Sequence, residues 1–165
     1  MIPICLITIG VLSSSGALGL LYFDNLLRHP SAVSMPGQIA NLQMTEYRSG
    51  AQASADFANL HDRQFLLISG AIGIYGDHKI TLWAAGAPLD FMAARMLVAM
   101  REKISQGGSP FTSIEQLDQD GRTVYVLEGM DQLHYYFQSN NLVIWLAADP
   151  ALADAAIKQI LEAYP

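Results

Sequence analysis

The chain has 165 residues, enough for one domain with a sizeable core and a short accessory segment. Nine Lys and Arg against fifteen Asp and Glu leave a formal charge of −6, and the basic residues are scattered, which argues against nucleic acid as a partner. Apolar residues make up 52% and charged residues only 15%, richer in apolar side chains than an ordinary soluble domain; the lone Cys5 forms no intrachain disulfide and reads as packing.

Met1 to Phe23 carry no charged side chain. As a helix this stretch is about 34 Å long, against a hydrocarbon core of about 30 Å, so residues 1–23 are expected to form an uncleaved transmembrane helix. A signal peptide competes, because Ser15-Gly16-Ala17 suits cleavage, but no basic residue precedes the run and it stays apolar to Phe23. Gly10, Ser13, Ser14 and Ala17 fall near one helical face, which makes Gly10, Ser14 and Ala17 the candidate helix–helix interface. The plain alternative is that Gly and Ser only dilute a single anchor. Arg28 alone on the C-terminal flank favours a cytoplasmic domain by the positive-inside count. A short apolar N-terminus leading straight into a folded module favours the extracytoplasmic side, and that is the expectation here. His29 to Gly37, with two prolines, two serines and a glycine, suits an extended connector. Residues 24–37 are therefore read as a linker and 38–165 as the folded domain.

Leu42 and Met44 mark a short strand, and Ser49 is a plausible N-cap for a helix through Ala53, Phe57 and Leu60 that ends near His61-Asp62. Leu66 to Tyr75 and Lys79 to Ala85 read as a hairpin turned at Gly76-Asp77-His78, and Pro88 opens a helix from Leu89 to Ile104. Gly107-Gly108-Ser109-Pro110 ends that helix. Four more strands follow at Thr112 to Leu117, Thr123 to Glu128, Leu133 to Ser139 and Leu142 to Ala148, turned at Asp120-Gly121, Gly129-Met130-Asp131 and Asn140-Asn141. Ala151 to Ala163 forms the last helix.

Ile74 to Met100 recurs without a gap as Tyr136 to Glu162, at an offset of 62 residues. The alignment sets Trp83 on Trp145, the only two tryptophans, and Pro88 on Pro150, with Tyr75/Phe137, Leu82/Ile144 and Val98/Ile160 as apolar pairs. The expected fold is thus α+β: a transmembrane helix, then an antiparallel sheet of about six strands with helices on one face, built from two ββα repeats at 74–100 and 136–162. Strands such as LVIWLAA are apolar throughout, which suits burial on both faces.

Reactive signatures are weak. His61, His78 and His134 lack ligand spacing, so no metal site is expected. Gly70, Gly73 and Gly76 lie in a strand and its turn, where they suit close backbone approach rather than a phosphate loop. No catalytic residue and no cofactor is expected. Met92, Met96 and Met100 form a stripe that is read first as core and second as a docking surface. Tyr125, Tyr135, Tyr136 and Phe137 gather aromatic surface on neighbouring strands, Tyr135 and Phe137 on one face and Tyr136 with His134 on the other. Met92, Met96, Met100, Tyr135, Tyr136 and Phe137 are the candidate partner or ligand surface. The functional expectation is a non-enzymatic, single-pass, membrane-anchored accessory or assembly subunit, with the lipid bilayer and a membrane protein or a second copy as partners. The alternative is a tethered module that binds an apolar or lipid-like ligand, lined by Tyr136, Phe137 and the Met stripe.

Overall fold

The computed structural model describes residues 2–60, 65–107, 109–119 and 121–165, without the side chains of 2–13 and 58–60. The expected helix end at His61-Asp62, the Leu60 side chain, and Gly108 and Asp120 of two expected turns lie outside the described residues. Helix α1 (Ile2–Arg28) leads into strands β1 (Ser31–Ala32), β2 (Gln38–Ile39) and β3 (Leu42–Ser49), then helix α2 (Ala51–Leu60) and the hairpin β4 (Ser69–Tyr75) and β5 (Ile80–Gly86). Helix α3 (Asp90–Ser105) precedes β6 (Thr112–Gln119), β7 (Arg122–Gly129), β8 (Gln132–Ser139) and β9 (Leu142–Ala148), and α4 (Ala153–Ala163) closes the chain. The fold is α+β around one large sheet of order β2-β3-β4-β5-β9-β8-β7-β6, antiparallel along that path, with β1 parallel to the end of β4.

The sheet has nine strands where the sequence suggested about six. One of the additional strands, β3, answers the short strand expected at Leu42 and Met44; the unexpected ones are β1 and β2, each only two residues long, too short to show a period of two and held by backbone pairing instead.

The sheet's centre is the β5–β9 pair, where Trp83 lies directly opposite Trp145. Across this pair every β5 residue faces a residue whose own counterpart, 62 positions on, faces back, so the two hairpins are related by a local twofold. The outer strands break the ungapped alignment. Tyr75 pairs with Ile80 across a four-residue loop, whereas Ser139 pairs with Leu142 across Asn140-Asn141 alone. The register therefore equates Tyr75 with Ser139, Gly73 with Phe137 and Ile72 with Tyr136; the Tyr75/Phe137 match slips by two, which keeps the face but changes the neighbour.

The helices occupy both faces, which corrects the one-face expectation. Ala53 and Phe57 of α2 and Ala93 and Met96 of α3 pack with Ile72, Ala85 and Val143 on the tryptophan face. Ala153, Ala156 and Ile160 of α4 pack with Leu82, Ile144 and Leu146 on the other. A sheet apolar on both faces demands cover on both, so the second ββα unit sends its helix to the side that the first leaves bare.

The expected span from Met1 to Phe23 is also corrected. Helix α1 continues past Phe23 to Arg28, and among the described residues no helix is long and apolar enough to cross a membrane. From Ser14 onwards it holds Ser14, Ser15, Gly16 and Gly19 and ends in the Asp24–Arg28 ion pair at 2.7 Å, an (i, i+4) contact at the surface.

The expected linker at 24–37 is thus helical at its start, and its remainder is strapped to the domain. Ser31 N–H donates to Ile68 O at 2.8 Å. Three tyrosine hydroxyls then donate to successive parts of the strap: Tyr47 to Val33 O at 3.0 Å, Tyr164 to Ser34 O at 2.7 Å and Tyr75 to Pro36 O at 2.7 Å. Proline-rich backbone has few donors of its own, so its carbonyls accept from side chains. Burial holds the Tyr164 phenol up at about 12 and the Tyr75 phenol higher still, so both stay protonated donors.

Candidate functional site

Paired residues in an antiparallel ladder share a face and sit close enough for their rings to touch. Tyr125 of β7 is opposite Tyr136 of β8, and Tyr136 is opposite Trp145 of β9. The three rings stack edge of sheet to centre, with centroids 4.8 Å and 5.2 Å apart and planes 19° and 16° from parallel. Such aromatic pairs add to the burial of their area.

The inner end of this ladder is closed by a hydrogen-bonded histidine. Trp145 Nε1, which only donates, reaches His134 Nδ1 at 3.1 Å. Nδ1 must therefore accept, which places the proton on Nε2, and Nε2 donates to Gly129 O at 3.0 Å. His134 is buried, and that burial lowers its pKa below the usual 6.5, opposed in part by the Gly129 carbonyl. Phe111 caps the pair, its centroid 4.6 Å from His134 and 5.2 Å from Trp145. Phe111 sits there because position 129 is glycine; a Cβ at Gly129 would meet Pro110 O at 2.6 Å and Phe111 Cδ1 at 2.7 Å.

The outer end is open. Tyr125 has Tyr136 on one side and Gln116 of the edge strand β6 on the other. Above it, Arg101 from the last turns of α3 donates from Nη1 to the Tyr125 hydroxyl at 3.2 Å, with its guanidinium carbon 5.8 Å from the ring centroid. Between the end of α3 and the β6–β8 surface lies a groove of about 550 Å³. Phe111, Tyr125, Leu127, Tyr136 and Ile104 supply apolar lining, while Arg101 supplies the cation. Burial and the neighbouring Tyr125 push the Tyr136 phenol up to about 12, with Arg101 pulling the other way.

The six residues singled out by sequence do not converge. Tyr136 joins the ladder and lines the groove. Tyr135 and Phe137 point to the opposite face and are buried in the α4-side core, at 5% and 0% exposure. Met96 is buried and Met92 and Met100 are partly buried, all against the tryptophan face, so the stripe is core. On α1, Ser14 and Ala17 are exposed, and Gly10 lies on the same helix. Arg101, Gln116 and Phe111 were missed, and Tyr125, grouped with the aromatic surface, was left out of the candidate set. They belong to three separate segments, and only the β6–β7–β8 register brings them together; the signal within reach was Arg101 on the last turns of the helix that the pattern had already placed.

Among the described residues, no group of three or more His, Cys, Asp or Glu side chains converges as metal ligands would. No protein-family model matches this chain, and no curated protein or solved structure matches it.

Proposed function

We propose that this chain is a non-enzymatic accessory or assembly subunit, held in a membrane protein complex through α1, with its α+β domain on the extracytoplasmic side. One observation carries the reading. Leu18, Leu21 and Tyr22 are 66–68% exposed and stand at i, i+3 and i+4 on one face of α1, with Leu20, 73% exposed, on the other side. An exposed apolar face of this kind needs cover, and it marks contact with lipid or another chain. The small residues Gly10, Ser14 and Ala17 would let a neighbouring helix approach closely. The strap at 31–37, tied by three tyrosines, would pass the position of α1 to the domain rather than leave it on a loose tether. Native sizing of the full chain, extracted from its own membranes in mild detergent, tests this. A large assembly with stoichiometric companions is expected; a solitary chain without partners removes the reading.

A second reading rests on the groove. Its volume lies in the range of small-molecule sites, and it combines aromatic lining with one cation. On this reading the domain is a binding module displayed by α1, with Tyr136 retained from the expected lining and Phe137 and the Met stripe replaced by Tyr125, Phe111 and Arg101. Native mass spectrometry of the full chain should show a reproducible bound mass; a clean apo mass from several preparations counts against it.

A further inference from the structure

We propose that the groove at the outer end of the ladder binds an aromatic carboxylate, with Tyr125 as the stacking platform and Arg101 as the clamp on the carboxylate; this rests on the binding-module reading. Trp145, Tyr136 and Tyr125 form three near-parallel layers with spacings of 4.8 Å and 5.2 Å. The stack ends at Tyr125, not because the sheet ends but because the next position across, Gln116 on β6, carries no ring. A fourth ring in the groove would continue the series over Gln116. Offset stacking of this kind favours a flat ligand over a flexible chain.

The charge of the ligand follows from Arg101. Among the described residues the ion pairs are Arg28–Asp24 and Arg48–Asp56, and Arg101 is in neither. Its hydrogen-bond partner is the neutral hydroxyl of Tyr125, which holds the guanidinium at the groove while leaving donors of its fork unspent. A carboxylate is the anion whose two oxygens match that planar fork. Glu115 also borders the groove, but it pairs with Val126, whose side chain lies in the α4-side core, so the register turns its carboxylate to the other face. Ser105, Thr112 and Ser113 line the same space and give the rim neutral polar groups. A site of about 550 Å³ accommodates a bicyclic aromatic acid.

Calorimetric titration of the full chain with naphthalene-2-carboxylate and with the neutral naphthalene-2-carboxamide tests the proposal. The acid is expected to bind on the order of tenfold more tightly than the amide, the scale of a charge-assisted hydrogen bond. Arg101→Gln should remove that preference, weakening the acid more than the amide, and Tyr125→Leu should weaken both. Equal binding of acid and amide to the unaltered chain, weakened by Tyr125→Leu, overturns the carboxylate clamp while keeping the groove as a site. No binding of either, or binding untouched by Tyr125→Leu, overturns the groove reading and this proposal with it. The acid–amide comparison on the unaltered chain needs no variant to fold.

Discussion

The two halves of the sheet share a strand frame and differ in the size of what stands on it. On the tryptophan face, Trp83 is flanked by Gly70, Ile72 and Ala85; at the equivalent positions, Trp145 is flanked by His134, Tyr136 and Ala147. Small residues let a helix settle onto the sheet. A Cβ at Gly70 would meet Phe57 Cε2 at 3.1 Å and Ser54 Oγ at 3.3 Å, so α2 sits as low as it does because that Cβ is missing. Large residues instead stack sideways into the ladder, and the groove lies between its outer end and the end of α3. The same backbone thus gives a closed core on one side and a concave, aromatic site on the other. Side-chain volume at two or three positions decides which.

The largest effects should come from changing side-chain volume in the two halves, on the tryptophan face and on the α4-side face behind it. Phe137→Ala, in the heavy half, is expected to cost about 3–5 kcal/mol, the range for truncating a fully buried aromatic ring. Its counterpart in the light half is Gly73, so no comparable truncation exists there. The converse change, Gly70→Leu, should cost about 1–3 kcal/mol by overpacking under α2. Urea unfolding of both variants reads the contrast; if Gly70→Leu is neutral, the close seating of α2 is not what the glycine provides.

The two tryptophans should separate next. Trp145→Phe leaves His134 Nδ1 buried without its donor, at about 1–3 kcal/mol. Trp83→Phe breaks no side-chain hydrogen bond among the described residues and trims a ring that is only partly buried, so it should cost less than about 1.5 kcal/mol. Equal midpoints for the two would mean that the Trp145–His134 bond adds nothing to the heavy half.

The smallest effect is the pH dependence that only the heavy half should carry. The His134 pKa is depressed in the folded chain, so the unfolded chain binds the proton more readily. Its contribution is present above the ordinary histidine value of 6.5 and is lost as pH falls from there towards the native value. Protonation would also put a hydrogen on Nδ1, facing the Trp145 N–H. In a Trp83→Phe background, Trp145 emission should change across that same window, and His134→Gln should flatten both signals. A stability profile between pH 7 and 5 that is identical with and without His134 would dissolve this difference between the halves.

Much of the frame was legible because strand and helix periods are local. Leu142–Ala148 was read to the residue, and β4 to β9 with α3 and α4 were placed within a few residues, since each is a run of apolar or β-branched residues bounded by turn chemistry. The Met130-Asp131 turn, both residues at positive φ, was signalled by Gly129 and Asp131. What failed was whatever depended on a partner elsewhere in the chain. The strap at 31–37 looked like a connector because proline and serine disfavour regular structure; its order comes from Tyr47, Tyr75 and Tyr164, and Tyr164 lies 130 residues from its acceptor. The candidate surface was legible only by halves. Alternation correctly separated Tyr136 from Tyr135 and Phe137, but nothing local says which face is open, and Phe137 proved to be at 0% exposure.

Sequence by itself determined the class of the fold, the paired tryptophan units and the apolar character of α1, because each is written in composition and short-range period. Only the tertiary structure decided that the helices divide between the two faces, that the repeat carries a two-residue gap in its turn, and that Arg101, Tyr125 and Gln116 meet in one groove. Those outcomes depend on register between strands far apart in the chain, and register is set by the summed packing of both sheet faces rather than by any one stretch of residues.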